Sequence, residues 1–114
     1  MPVKRGDIFW VNLDPVKGSE QAGKRPVIVI QNNVGNALAS TTIIAPLTTK
    51  IFSKEYPTNV MVLKGTAGLK ENSTILFSQI RVIDQSRLEK KIGVLPSTYT
   101  HRVDTAIKNS LGVH

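Results

Sequence analysis

Short apolar runs separated by polar and turn-forming residues fill most of the chain, and only its tail switches to a helical spacing. Asp7 to Leu13 reads as a strand, opened by Arg5-Gly6 and closed by Asp14-Pro15. Pro26 to Gln31 (PVIVIQ) is nearly continuously apolar and β-branched, the pattern of a central strand buried on both faces. Asn32 to Asn36 is a turn cluster. Thr41 to Leu47 (TTIIAPL) predicts a third strand, in which Pro46 points to an edge or a bulge. Further strands are expected at Asn59 to Leu63, Ser73 to Phe77, Gln79 to Ile83 and Ile92 to Leu95. Asp84 to Leu88 suits a short helical turn capped by Asp84. Tyr99, Val103, Ala106, Ile107 and Leu111 then recur at helical spacing. Pro96-Ser97 starts that helix and Gly112 ends it, giving about fifteen residues. Many short strands followed by one helix imply a mainly β fold, a small curled barrel with the C-terminal helix packed against it.

Against this frame the stretch Gly18-Ser19-Glu20-Gln21-Ala22-Gly23-Lys24-Arg25-Pro26 stands out. It joins the first two strands and is longer and more polar than a tight hairpin requires. Long polar loops on a strand scaffold are where binding and chemistry concentrate. This one ends in Arg25-Pro26, a fixed cation at the mouth of a strand and so an address for phosphate.

The chain's 114 residues suffice for one hydrophobic core, so a single domain over residues 1–114 is expected. No run approaches ~18 consecutive apolar residues, and Met1-Pro2-Val3-Lys4-Arg5 lacks the apolar stretch of a signal peptide. With no cysteine there are no disulfides and no thiolate-held zinc, and the expected compartment is the cytoplasm. Fifteen Lys and Arg stand against eight Asp and Glu, a formal charge of +7. That balance favours a polyanionic partner, nucleic acid or an acidic protein segment. A membrane surface would call for a basic amphipathic helix, and the chain has none.

Candidate chemistry is sparse. His101 and His114 lie far in sequence from the polar loop and read as surface residues. The carboxylates are scattered without metal-ligand spacing, so no metal is expected and no cofactor is implied. Asp14 reads as a turn residue and Asp104 as a solvated helix position. Thr48 and Thr49 lie just past the third strand, where turn formation and function are equally good readings. Gln79 and Arg81 alternate with Ile80 and Val82 and so share one strand face. They are either solvent residues or the wall of a phosphate groove. Phe9 and Trp10 read as strand packing, and one Trp, two Tyr and three Phe supply a stacking-driven single-strand binder poorly. Lys50, Lys54 and Tyr56 make a basic rim or an ordinary solvated loop.

Lys4-Arg5-Gly6-Asp7, the nonapeptide Gly18 to Pro26, the Leu47-Thr48-Thr49 rim, Ser78-Gln79-Ile80-Arg81 and the tail Leu95 to Gly112 occur in that order. Together they resemble the MazF/PemK toxins of bacterial toxin–antitoxin systems, from about residue 4 to 112. The resemblance implies an SH3-like barrel with a C-terminal helix, shared with CcdB-like toxins. It also implies a homodimer and metal-independent cleavage of single-stranded RNA, chiefly mRNA, at a short motif. The family's catalytic arginine falls on Arg25 and its threonine on Thr48. Ser19, Glu20 and Gln21 belong to the loop that covers the substrate, and Gln79 and Arg81 to RNA contact or support. The charges of Lys17 and Lys24 would aid RNA capture or serve solubility alone. An acidic, disordered segment of a MazE-like antitoxin would occupy the same basic groove.

In-line attack by a ribose 2′-hydroxyl requires charge stabilisation on phosphorus. The Arg25 guanidinium can supply two parallel hydrogen bonds and Thr48 a third. A guanidinium is almost never deprotonated, which makes Arg25 a poor general base, so it is expected chiefly as an electrostatic clamp and secondly as the proton donor to the leaving 5′-oxygen. Glu20, or a water it orients, is the candidate acceptor of the 2′-proton. Two rivals stay open: a CcdB-like gyrase poison acting through its C-terminal helix, and a passive nucleic-acid-binding barrel.

Overall fold

Strand β3 (Thr41–Thr48) is the seam of the molecule. The computed structural model describes residues 2–114 and arranges β1 (Asp7–Asn12), β2 (Lys24–Val29), β3, β4 (Asn59–Val62), β5 (Ser73–Leu76), β6 (Arg81–Asp84) and β7 (Lys91–Val94) as one curled sheet. The order is β4-β5-β3-β2-β1-β7, all antiparallel, with β6 also on β3. One edge of β3 pairs with β2. The other edge is divided: β6 takes Thr41 to Ile44 and β5 takes Leu47 and Thr48. The sheet therefore curls into a half-barrel.

Pro46 departs from expectation, because it sits inside this central strand opposite Val27. The Ile43 carbonyl accepts from the amides of Ile30 and Gln31, so odd-numbered residues of β3 face β2. Alternation then turns the nitrogen of Pro46 to the other edge, in the gap between the last β6 pair and the first β5 pair. No ladder bond is lost there.

Two apolar clusters occupy the two sides of the β1–β2–β3 ribbon. Ile8, Ile28, Ile30, Ala45 and Leu47 meet Val60, Val62, Ile75 and Phe77 under the C-terminal helix. Val11, Leu13, Val27, Val29 and Ile44 form a smaller cluster closed by Ile83, Val16 and Leu88. β2 is thus buried on both faces, as its unbroken β-branched run requires.

Helix α1 (Asn33–Leu38) replaces the expected turn at Asn32 to Asn36. Its cap explains it: Asn32 Oδ1 accepts from Gly35 N at 2.7 Å, and Asn36 is buried in a polar network with Gln31 and Thr42. Helix α2 (Thr100–Leu111) follows a 3-10 turn at Ser97–Tyr99 and stops at Gly112, whose φ of 70° needs no side chain. Val103 and Ala106 are buried on it, whereas Leu111, expected on the packed face, is 63% exposed. Trp10, expected in the packing, is 37% exposed at the end of its strand face. No helix of the described residues is long and apolar enough to cross a membrane.

Candidate active site

The strand registers place the two candidate catalytic residues on one face of the sheet. Val11 lies opposite Arg25, and Val27 lies opposite Pro46. Continuing the second register by two residues sets Arg25 across from Thr48, the last residue of β3. Thr48 is opposite Thr74, and Thr74 is opposite Met61. Opposed residues share a face of the sheet, so one row crosses five strands as Val11, Arg25, Thr48, Thr74 and Met61.

Arg25 is half-buried and folds back on its own loop, with Nε donating to Ala22 O at 2.8 Å. Its two Nη groups have no acceptor among the described residues. A planar pair of free donors is what a phosphoryl group can engage bidentately. Thr48 is 7% exposed; its Oγ1 accepts from Lys50 N at 3.2 Å, leaving the hydroxyl hydrogen available.

A depression of about 410 Å³ is lined by Ser19, Glu20, Gln21, Gln79 and Arg81, together with Leu13 and Pro46. Leu13 lies two residues beyond Val11 and Pro46 two before Thr48, so the depression shares the sheet face of the Arg25–Thr48 row, although neither of those two residues is on its lining. Ser19 and Glu20 are exposed on the covering loop, and the Glu20 carboxylate accepts from Lys17 N through Oε1. Gln79 Oε1 accepts from Gln21 N at 2.7 Å, and Arg81 Nη1 donates to Leu13 O at 3.1 Å. Gln79 and Arg81 therefore tie the covering loop and the end of β1 to the barrel while facing the groove. Gln79 does so from a 3-10 turn (Phe77–Gln79), not from the strand expected at Gln79 to Ile83, because β6 starts only at Arg81.

Lys24 does not join the site. As the neighbour of Arg25 on β2 it points to the opposite face, where its Nζ pairs with Glu89 at 2.8 Å. Asp14, read as a turn residue, Gly23 of the nonapeptide and Arg87 shape the loop instead. Asp14 Oδ1 accepts from Gly23 N at 3.1 Å, and Arg87 Nη2 donates to the carbonyls of Asn12 and Asp14. Gly23, at φ 75°, turns the chain back into β2. The only sequence cue was the Asp14-Pro15 turn; Arg87 is remote along the chain. No group of three or more His, Asp or Glu side chains is arranged to hold a metal ion among the described residues.

A small β half-barrel that carries an uncommitted guanidinium fork and a threonine hydroxyl on one sheet face, with a polar groove under a long loop, offers groups that can hold a phosphodiester. Residues 4–111 match the model of the PemK-like, MazF-like toxins of type II toxin–antitoxin systems. The chain is 44% identical over 113 residues to the endoribonuclease EndoA of Bacillus subtilis, covering 99% of this chain and 97% of that protein. It is 42% identical over 112 residues to the endoribonuclease MazF of Staphylococcus saprophyticus, covering 98% and 93%. Among solved structures, MazF of Deinococcus radiodurans matches with a TM-score of 0.82 at 25% identity, over 99% of both chains. An endoribonuclease from a mycobacterial species, solved in complex with its cognate antitoxin, matches with 0.82 at 20% identity, over 98% of this chain and 97% of that one. The chain belongs to the PemK-like, MazF-like toxins and is an enzyme of the endoribonuclease class that its curated relatives carry by name. The gyrase-directed and passive-binding readings are not favoured.

Proposed function

We propose that this chain cleaves single-stranded RNA, mRNA foremost, at a short sequence motif and without a metal. The ribose 2′-hydroxyl gives up its proton and attacks the adjacent phosphorus, the bond to the 5′-oxygen breaks as that oxygen takes a proton from Arg25, and the products carry a 2′,3′-cyclic phosphate and a 5′-hydroxyl. The observation that carries this reading is the register that sets Arg25 across from Thr48, with both Nη groups of Arg25 uncommitted. Arg25 clamps two phosphoryl oxygens and Thr48 donates a third hydrogen bond, where charge develops in the transition state. Glu20, directly or through a water, takes the 2′-proton; its Oε2 has no partner among the described residues. Ser19, Gln21, Gln79 and Arg81 line the groove that receives the flanking nucleotide.

The chain acts in the cytoplasm as a homodimer and is neutralised by a cognate antitoxin. Solved relatives support the antitoxin: a mycobacterial endoribonuclease with its cognate antitoxin and a Deinococcus radiodurans MazE–MazF complex share the fold. An acidic antitoxin segment suits a toxin of net charge +7. The test is incubation with a long single-stranded RNA in EDTA, beside Arg25→Ala. Discrete cuts bearing 5′-hydroxyl ends, absent from the control, are expected. Intact RNA with folded protein would overturn the reading.

A further inference from the structure

A second depression, of about 920 Å³, lies outside the site described above and on the same face of the sheet. Its lining includes Lys50, Phe52, Tyr56, Lys64, Lys70 and Thr74. Thr74 faces Thr48 across the β3–β5 ladder, so this second depression begins one strand away from the candidate catalytic threonine. Met61, also on its lining and 61% exposed, continues the same row. From Arg25 to Met61 the row spans three strand intervals, about 14 Å at ~4.8 Å each.

Two kinds of group meet there. Phe52 and Tyr56 stack edge to face, ring centroids 5.8 Å apart at 78°, and Lys50 Nζ sits 5.2 Å from the Phe52 ring. Tyr56 is 46% exposed, so ring surface stays open to the depression. Lys50, Lys54, Lys64 and Lys70 have no carboxylate within ion-pair distance among the described residues, although Glu55 and Glu71 also line the depression. The loop that carries the rings is anchored at both ends. Lys50 N bonds Thr48 Oγ1 at 3.2 Å, and Pro57 O accepts from Asn109 Nδ2 on α2 at 3.1 Å.

We propose that this depression is a subsite for one unpaired base and its phosphates, flanking the cleaved linkage: the base stacks on the Phe52–Tyr56 pair, and Lys64 and Lys70 meet the phosphates. The proposal rests on the RNA-cleavage reading above and extends it to substrate recognition. Aromatic surface bordered by uncommitted cations is the chemistry of single-strand binding, in which a ring recognises a base face and ammonium groups follow the backbone. An acidic peptide would use the cations but has no need of ring surface. The chain holds too few aromatics to stack along a whole strand, yet a single subsite needs only one pair.

The test is a thermodynamic cycle on 2′-O-methyl RNA oligonucleotides, which cannot be cut, followed by fluorescence anisotropy. An abasic residue is moved through the sequence, with wild type compared to Phe52→Leu/Tyr56→Leu. Both rings are at least partly exposed, and a thermal melt checks that the variant is folded. At one flanking position wild type is expected to bind the abasic strand ~10-fold more weakly, with the penalty shrinking to about twofold in the variant. A flat abasic profile, or an equal penalty in both proteins, overturns the stacking site. In a second arm, Lys64→Gln/Lys70→Gln should reduce the slope of log K against log salt by about 1.4, ~0.7 for each lost phosphate contact. An unchanged slope overturns the phosphate assignment. Variants that weaken only an acidic peptide, with the abasic penalty intact, assign the depression to a protein segment and also overturn the proposal. Coupling in binding without cleavage of ordinary RNA by wild type would remove the nuclease chemistry and leave the base site standing. Cleavage without coupling would do the reverse.

Discussion

Arg25 shows how one side chain divides its donors: Nε holds the loop at Ala22 O, and the Nη pair is left for a ligand. An ammonium at this position cannot do both, because it is a point charge without the planar fork. Arg25→Lys is expected to fold normally and lose roughly 10²–10³ in single-turnover rate. Near-normal turnover would remove the clamp. Glu20 has one oxygen committed to Lys17 N, so its proposed base function relies on Oε2. Glu20→Gln should lose most of the rate, typically ~10²–10³ for a missing acid–base group; unchanged cleavage takes Glu20 out of the mechanism. Gln79 was picked out in the sequence as a candidate, but its bond to Gln21 N was not legible, since these positions are 58 apart in sequence. Lys24 is a different case. Charge and adjacency suggested RNA capture, whereas strand parity sends it to Glu89 on the other face.

The elements carry their own constraints. β7 meets the 3-10 turn at Thr66–Gly68 so closely that a Cβ on Gly93 would lie 2.2 Å from Ala67 O. Gly93→Ala therefore forces the two backbones apart and is expected to cost about 1–3 kcal/mol in urea denaturation, in the range of an overpacked core. Wild-type stability would mean that this contact relaxes freely. The turn after β6 is capped by Asp84, whose carboxylate lies below the usual carboxylate range because the Ser86 hydroxyl and Ser86 N–H both donate to it. A folded value below the unfolded one means that this contribution is full above about pH 4 and disappears as pH falls through the folded value. The stability advantage of wild type over Asp84→Ala should accordingly narrow as pH drops below about 4, and a constant advantage in pH-dependent melts would contradict it. The capping of this turn was legible from Asp84, and so was the end of α2 from Gly112. α1 was not: Val34, Ala37 and Leu38 do fall at helical spacing, but six residues are too short a run to tell from a turn, and the helix is set by the Asn32 cap and by Asn36 in the polar network with Thr42.

For the whole molecule, a charge of +7 faces a polyanion, and the association should be salt-dependent throughout. RNA affinity is expected to fall linearly on a log–log plot with slope of about −0.7 for each phosphate neutralised, measured by anisotropy between low and physiological salt. A salt-independent affinity would rule out the basic face as the binding surface. Local information in the sequence determined the strands, the C-terminal helix, the mainly β class, the long polar loop and the resemblance that pointed to Arg25 and Thr48. These depend on alternation, capping and motif, which are properties of neighbours along the chain. Tertiary structure alone decided which strands share β3, why Pro46 is tolerated there, and that Arg25 and Thr48 share a face of the sheet. It also decided which lysines are spent in ion pairs and where Phe52 and Tyr56 open a second depression. Those outcomes depend on register and closure between segments distant in sequence, and a single-residue shift of register would turn every one of these side chains to the other face.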